Sequence, residues 1–170
     1  MKNIFIVRHA KADNVNKANS DIDRHLTEKG IKDAESIGQL FFELGITPDI
    51  IISSPAKRAL MTAQHAAKKC RYNKEIQVEK DIYYGNADDI QEIIKKCDNK
   101  SNLLAIFGHS PTLEKLSNIL LTSSVLKIEL HKASCLSIVC DIDNWTLAGP
   151  KNSTLEWLIY PKLLCKPTAD

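Results

Sequence analysis

The sequence predicts an α/β fold built on a parallel sheet, and three observations support that prediction. Segments of strand length built around continuous apolar runs occupy residues 3–7, 49–53 and 103–107, as expected of strands buried on both faces. Amphipathic helical segments separate these runs, which is the pattern of a chain crossing between parallel strands. Polar and charged side chains follow each run at once, at the edge where open α/β sheets carry their sites.

The helices are predicted from capping residues and from apolar side chains that recur every three or four residues. Thr27 is the predicted cap of a helix that stops at Gly45. The serine-proline pairs at 54–55 and 110–111 each offer a cap followed by a proline suited to the first helical position. Helices are therefore predicted from these pairs to about residues 69 and 121, with a shorter one over 88–97.

The remaining segments complete the predicted sheet. A short strand is predicted at 76–78, and further strands at 125–130, 135–140 and 155–160, with an antiparallel member among them. Residues 11–23 are polar and predict a loop over the end of the first strand, while residues 162–170 predict a surface arm. Because no linker or repeat interrupts the chain, residues 1–170 are predicted to form a single domain.

Composition and charge exclude several function classes. The 170 residues are 44% hydrophobic, which argues against disorder, and Lys+Arg 23 against Asp+Glu 21 gives no field typical of nucleic-acid or membrane binding. No apolar run reaches the length of a signal-peptide core or a membrane span. The five cysteines are scattered and odd in number, without a C-x-x-C pair. They indicate reduced thiols in a cytoplasmic protein.

The ends of three predicted strands carry the candidate site. Arg8 and His9 follow the first strand, Arg58 lies in the first turn of the helix after the second, and His109 follows the fourth. These ends share one edge of a parallel sheet, so the four side chains and two helix N-termini should converge. Arginine forks and helix N-termini match phosphate oxygens, and a neutral histidine is a nucleophile near neutral pH. This pattern predicts a phosphoryl pocket.

Each of these residues alone has an ordinary structural interpretation, and only their common position favours a site. His25, His65 and His131 lack such a position and are predicted to be structural or surface residues. The strand ends also lack a carboxylate cluster, so neither a metal nor another cofactor is predicted.

Four sequence blocks, taken together, identify a family. Arg8-His9-Ala10 resembles the Arg-His-Gly signature of the histidine phosphatase superfamily, the phosphoglycerate mutase-like clan. The segments at 24–30, at 53–63 and at 108–111 are similar to its other blocks, in family order. Within the clan, the short chain without a lid insertion looks most like the SixA-type phosphohistidine phosphatases. One departure is Ala10, which replaces the usual glycine with another small residue.

The resemblance implies a fold and a mechanism. The fold is a three-layer α/β/α sandwich with a mostly parallel central sheet. His9 attacks phosphorus and becomes phosphorylated, while Arg8, Arg24, Arg58 and His109 hold the phosphoryl oxygens before water cleaves the phosphohistidine. Asp81, before a tyrosine-glycine pair, matches the position of the family's general acid, and Glu79 lies close by.

The substrate is the point on which the alternatives differ. An imidazole leaving group has a pKa of about 6.5 and needs little help from an acid, whereas an alkoxide needs a well-placed one. This favours a phosphorylated histidine on a partner protein over a small phosphoester. A phosphatase of small phosphoesters and a non-catalytic phosphate-binding module remain the alternatives. A mutase is disfavoured because the chain lacks the insertions that hold a phosphoglycerate.

Overall fold

A six-stranded sheet forms the centre of the protein. The computed structural model describes residues 1–14 and 18–164. Its strands are β1 (Lys2–Arg8), β2 (Ile50–Ser53), β3 (Gln77–Val78), β4 (Leu103–Gly108), β5 (Cys135–Cys140) and β6 (Ser153–Ile159). They pair in the order β3-β2-β4-β1-β5-β6, so β4 lies between the first two strands of the chain.

The sheet is mixed, and the prediction of a mostly parallel sheet was wrong. β1, β2, β3 and β4 pair in parallel, but β5 is antiparallel to both β1 and β6. Residues 122–134 form no strand, which also corrects the strand predicted at 125–130. This segment instead returns the chain to the carboxyl end of β1, where the Arg8 amide donates to the Ser134 carbonyl at 3.1 Å. β5 therefore starts at that edge and runs back against β1.

Helices cover both faces of the sheet. They are α1 (Glu28–Glu43), α2 (Lys57–Lys69), α3 (Asp81–Tyr84), α4 (Ala87–Lys95), α5 (Thr112–Leu121) and α6 (Pro161–Leu164). Phe5 and Val7 of β1 face a core shared with α1 and α2, whereas Ile4 and Ile6 face one shared with α4 and α5. Because both faces are buried, Ile4, Phe5, Ile6 and Val7 form a continuous apolar run in β1 instead of an alternating pattern.

The structure confirms the predicted cap at Thr27 and shows that the caps predicted at the two serine-proline pairs were wrong. The Thr27 hydroxyl accepts from the Gly30 amide at 3.1 Å, as predicted, and Gly45 follows α1 with a φ of +68°. The serine-proline pairs do not start helices, because α2 begins at Lys57, three residues after Ser54, and α5 begins at Thr112, two residues after Ser110. The Ser54 hydroxyl accepts from the Ala56 amide at 3.2 Å and also contacts His109, so Ser54 is part of the candidate site.

Three other predictions concern cysteines, membranes and the tail. Cys70, Cys97, Cys135 and Cys140 are free thiols, and Cys165 lies outside the described residues. No helix in the described part of the chain is long and apolar enough to cross a membrane. The predicted surface arm begins within α6, and its residues 165–170 also lie outside the described part.

Candidate active site

The carboxyl ends of β1, β4 and β2 lie side by side and carry the candidate residues. Arg8 is paired with Gly108, and Ser53 with Phe107. The His9 amide donates to the Gly108 carbonyl at 2.9 Å, which ties the residue after β1 to the end of β4. The three predicted strand ends therefore meet because β4 inserts between β1 and β2.

His9 is a buried, neutral imidazole with a defined tautomer. Its side chain is among the buried polar groups, and Nδ1 lies 2.8 Å from the Ala10 carbonyl. A carbonyl oxygen only accepts, so Nδ1 carries the proton and Nε2 keeps its lone pair. Burial lowers the pKa of His9 to about 4, with further lowering from the charges of Arg58 and Arg8. At neutral pH, Nε2 is thus a free nucleophile.

His109 lies beside His9, with the ring centroids 5.2 Å apart. Its Nε2 is 2.8 Å from the Ser54 hydroxyl, and its Nδ1 is buried without a hydrogen-bond partner among the described residues. Burial, followed by the Arg58 charge, lowers the pKa of His109 to about 3, so this ring is neutral too. When the serine donates to Nε2, the proton of His109 resides on Nδ1 as an available donor.

Arg8 and Arg58 each donate a hydrogen bond from Nη1 to a main-chain carbonyl. Nη1 of Arg8 donates to the Leu130 carbonyl, and Nη1 of Arg58 donates to the Asp21 carbonyl at 2.6 Å. The Nε atoms of both arginines are buried and have no partner in the described part of the chain. A buried N–H without a partner is costly, and such groups concentrate where a ligand supplies the missing acceptor. With His109 Nδ1, the two Nε atoms form three buried, unpartnered nitrogens at one sheet edge.

Asp21 and Tyr83 join this cluster, and neither was predicted. The Asp21 carboxylate accepts from Arg24 Nη1 at 3.0 Å, from Arg58 Nη2 at 3.0 Å and from the Tyr83 hydroxyl at 2.8 Å. The Tyr83 ring also stands 5.5 Å from the His109 ring. Asp21 begins a short 3₁₀ turn, Asp21–Asp23, and Tyr83 lies in the separate short helix α3, so no sequence spacing links them to each other.

A threonine and a glycine fix the backbone around His9. Thr62 of α2 accepts from the Ala10 amide at 3.0 Å and donates to the Arg58 carbonyl at 2.6 Å. Gly30 of α1 packs so tightly on the loop after β1 that a Cβ there would lie 2.0 Å from the Lys11 carbonyl oxygen. These contacts give a physical reason for the threonine and the glycine found in two of the four sequence blocks.

The predicted acids are not part of this hydrogen-bonded cluster among the described residues. Asp81 is exposed in the first turn of α3, and Glu79 is half-buried just before it. Within the described residues, neither carboxylate hydrogen-bonds to a histidine or arginine of the site. The role of Asp81 as general acid stays a prediction.

The other three histidines are structural or surface residues, as predicted. His25 and His131 are exposed, and His65 is half-buried with Nδ1 3.5 Å from a Glu35 carboxylate oxygen. None of the three has a hydrogen bond to the cluster among the described residues.

Comparison with known protein families identifies the chain. Residues 4–105 match the model of the histidine phosphatase superfamily (branch 1). The chain belongs to this superfamily. The match includes the residues after β1 and β2 and ends within β4, three residues before Gly108.

Solved structures and curated sequences agree with this assignment. The fold is similar to that of the protein histidine phosphatase SixA complexed with tungstate, with a TM-score of 0.83, 19% identity and coverage of 96% of this chain and 99% of that one. Pgam5, a mitochondrial serine/threonine-protein phosphatase of Drosophila ananassae, is 42% identical over 74 residues. That alignment covers 44% of this chain and 25% of Pgam5, so the chain matches about a quarter of that protein.

A longer match extends beyond the first half of the chain. An uncharacterized chloroplastic protein of Arabidopsis thaliana is 25% identical over 171 residues, covering 94% of this chain and 78% of that protein. The similarity therefore also includes the segment that contains His109, which lies beyond the family-model match.

Proposed function

We propose that this protein is a phosphatase that works through a covalent phosphohistidine on His9 and acts on a phosphohistidine of a partner protein. One observation carries the proposal. A neutral His9, with its nucleophilic nitrogen free, lies in a cluster with three buried nitrogens that have no partner in the described residues, on Arg8, Arg58 and His109. A phosphoryl group supplies both the atom to be attacked and the acceptors that these nitrogens need.

In the first step, the lone pair of His9 Nε2 forms a bond to phosphorus. The bond from phosphorus to the leaving nitrogen breaks, and that nitrogen keeps the electron pair. The Ala10 carbonyl, 2.8 Å from Nδ1, stabilises the positive charge that develops on the His9 ring. In the second step, a water oxygen bonds to phosphorus, and the bond to Nε2 breaks with its electron pair returning to that nitrogen. Inorganic phosphate leaves with the protons of the water, one of which it can release to solvent.

The surrounding donors stabilise the transferred group. Charge spreads over the phosphoryl oxygens in the transition state, and preorganised donors in a site shielded from water are most effective there. We assign this role to Arg8, Arg58 and His109, with Arg24 at the rim because its side chain is more exposed than that of Arg58. No step in this scheme uses a metal ion or another cofactor.

The leaving group favours a phosphohistidine substrate. An imidazole leaves protonated, so it does not require a strong internal acid. Asp81 is exposed and has no hydrogen bond to the cluster among the described residues, which suits a good leaving group better than a sugar alkoxide. The chain is also proposed to form a single domain without a lid insertion, which leaves room for a histidine that is part of another protein.

A cleft beside the site, which we call the lysine cleft, supports an anionic partner. Its volume is about 340 Å³, and it is lined by Lys11, Lys29, Asp33, Lys132, Tyr160, Pro161 and Lys162. Lys11 lies two residues after His9, and Lys132 adds to the electrostatic lowering of the pKa of His9. Lys29 is paired with Asp33 at 3.2 Å, but the other three lysines have no ion pair within the described residues. They fit acidic side chains of a protein docked over His9.

The names of similar proteins agree with a protein substrate. The structurally similar SixA is a protein histidine phosphatase and binds tungstate, a tetrahedral oxyanion like phosphate. Pgam5 is a phosphatase of proteins. The free thiols Cys70, Cys97, Cys135 and Cys140 suit the reducing cytoplasm, which we propose as the compartment.

The test compares kcat/KM for a phosphorylated histidine-containing transfer protein with kcat/KM for sugar phosphates. We expect the protein substrate to be preferred and the Asp81→Asn change to cost it little. If sugar phosphates are preferred, and Asp81→Asn lowers their turnover by orders of magnitude, the enzyme is a phosphatase of small phosphoesters. No turnover of either class would indicate a non-catalytic phosphate-binding module.

Docking at the lysine cleft has its own matched variants. Lys11→Ala with Lys132→Ala removes two charges beside His9, whereas Lys74→Ala with Lys100→Ala removes two at the opposite edge of the sheet. The first pair should raise KM for the protein substrate severalfold at low salt and leave a small aryl phosphate nearly unaffected. Equal effects of both pairs would contradict docking at the lysine cleft.

A further inference from the structure

Asp21 accepts three hydrogen bonds from two arginines of the site, Arg24 and Arg58. Its main-chain carbonyl accepts from Arg58 Nη1 at 2.6 Å, and its carboxylate accepts from Arg58 Nη2 at 3.0 Å. The other carboxylate oxygen accepts from Arg24 Nη1 at 3.0 Å. One residue thus holds both arginines, which come from different segments of the chain.

Asp21 binds one edge of the Arg58 guanidinium, and this determines which N–H groups of Arg58 remain available to a ligand. A guanidinium offers one edge formed by Nη1 and Nη2 and another formed by Nε and one Nη. Asp21 takes the first edge of Arg58, and the Nε of Arg58 stays buried without a partner in the described residues. The second edge is therefore the one available to a phosphoryl group.

We propose that Asp21 is a positioning residue, which fixes Arg58 and Arg24 so that their remaining N–H groups bind the phosphoryl oxygens. This inference rests on the proposed function only in that the site binds a phosphoryl group. It does not depend on which molecule carries that group. Asp21 itself contacts neither the phosphoryl group nor the attacking nitrogen.

Tyr83 supports the position of this carboxylate. Its hydroxyl donates to the same oxygen that accepts from Arg58, at 2.8 Å, and the Arg58 guanidinium carbon lies 5.8 Å from its ring centroid. Burial is the largest single influence on this carboxyl and raises its pKa. The hydrogen bonds from Arg24 and Tyr83 and the charge of Arg58 together outweigh burial and lower the pKa of Asp21 to about 2, so the carboxylate is ionised at neutral pH.

Asp21 could also act in the opposite sense, as an anion that competes with phosphate for the arginines. Two facts favour positioning. The side chain of Asp21 is 45% exposed, so water screens its repulsion of a phosphate, whereas the Arg58 side chain is only 8% exposed. The three arginines of the site also outnumber the one carboxylate, so the site keeps a positive charge. An unheld arginine would lose rotamer freedom on binding phosphate, which weakens binding.

The experiment measures binding of inorganic phosphate and of tungstate by calorimetry to the whole protein and its variants. Asp21→Ala should weaken binding of both anions about tenfold, in line with the loss of a hydrogen bond between charged groups at a partly exposed position. Asp21→Asn, which keeps one acceptor oxygen, should restore part of that loss. Tyr83→Phe should have a smaller effect, since the carboxylate keeps both arginines.

Asp23 provides the matched control on the same 3₁₀ turn. Its carboxylate accepts from Ser20 at 2.6 Å and pairs with Lys57 at 3.1 Å. Asp23→Ala should leave anion binding unchanged although it removes the same charge two residues away. In turnover assays, Asp21→Ala should lower kcat more than it raises KM for the protein substrate, because the held arginines act mainly on the transition state.

Three results would overturn the inference. The first is tighter anion binding by Asp21→Ala, which would show that Asp21 competes with the anion. The second is anion binding by Asp21→Ala that equals that of the wild type. The third is an equal loss of anion binding in Asp21→Ala and Asp23→Ala. A wild-type protein that binds neither anion would instead refute the proposed function. The two failures are therefore distinguishable.

Discussion

The contact between Ser54 and His109 allows a sharp test of how the site controls its protons. Ser54 is fully buried, and its hydroxyl lies 2.8 Å from His109 Nε2 while it accepts from the Ala56 amide at 3.2 Å. With that acceptor position used, the hydroxyl hydrogen is free to point at Nε2. It then holds the proton of the neutral ring on Nδ1, the unpartnered atom that we assign to the phosphoryl oxygens. Ser54→Ala removes this control without touching the ring.

The magnitude follows from the energy of one hydrogen bond. A neutral hydrogen bond of this kind contributes about 1 kcal/mol, which corresponds to about a fivefold bias between the two tautomers. Losing this bias lowers the population of the Nδ1-protonated ring by at most about fivefold, so we expect Ser54→Ala to lower kcat/KM by up to about fivefold. His109→Ala, which removes the donor altogether, should lower kcat about 10²- to 10³-fold. The free energy of unfolding should also fall by about 1–3 kcal/mol in Ser54→Ala, because buried polar groups lose their partner.

The assay combines kinetics with ¹⁵N NMR of the histidine ring. In the wild type, Nδ1 of His109 should carry the proton, and in Ser54→Ala the proton should shift towards Nε2. Ser53→Ala is the matched control, since Ser53 is equally buried but donates to the Ser54 carbonyl at 3.0 Å instead of to the ring. It should lose stability and keep its kcat/KM. An Ser54→Ala variant with the wild-type tautomer and wild-type turnover would refute the reasoning.

Three further predictions concern the nucleophile, the pH dependence and the absence of metal. His9→Ala should abolish turnover, and label from a phosphorylated substrate should be found on His9 after acid quenching. His65→Ala should remain active, and label on any other residue would contradict the assignment. Because the pKa of His9 is lowered to about 4, kcat/KM corrected for substrate ionisation should fall only as the pH drops through about 4, and a limb near 6.5 would show that His9 is not desolvated. Between those two pH values the unfolded chain binds more protons than the folded one. The free energy of unfolding should therefore decrease as the pH is lowered from about 6.5 to about 4, by up to about 1.4 kcal/mol per pH unit for each of His9 and His109, as urea titrations would measure. Chelators should leave turnover intact, whereas inhibition reversed by a divalent ion would refute the metal-free scheme.

The sequence by itself determined the strands β1, β2 and β4, the approximate course of the main helices and the residues at the strand ends. Continuous apolar runs mark β1, β2 and β4 because both faces of these strands are buried, a property that each strand carries in its own composition. Parallel strands present their carboxyl ends at one edge, so the convergence of Arg8, His9, Arg58 and His109 follows from connectivity. Thr27 was identifiable as a cap because capping is a contact within a few residues.

Tertiary structure decided the direction of β5 and the partners of the site residues. β5 is antiparallel because the segment before it returns to the carboxyl edge along a path set by long-range contacts, and its apolar composition suits either direction. Ser54 had the sequence signature of a helix cap, but its hydroxyl lies against His109 because β2 and β4 are neighbours. Asp21, Arg58 and Tyr83 come from three separate segments, and their hydrogen bonds depend on distances that no local pattern encodes.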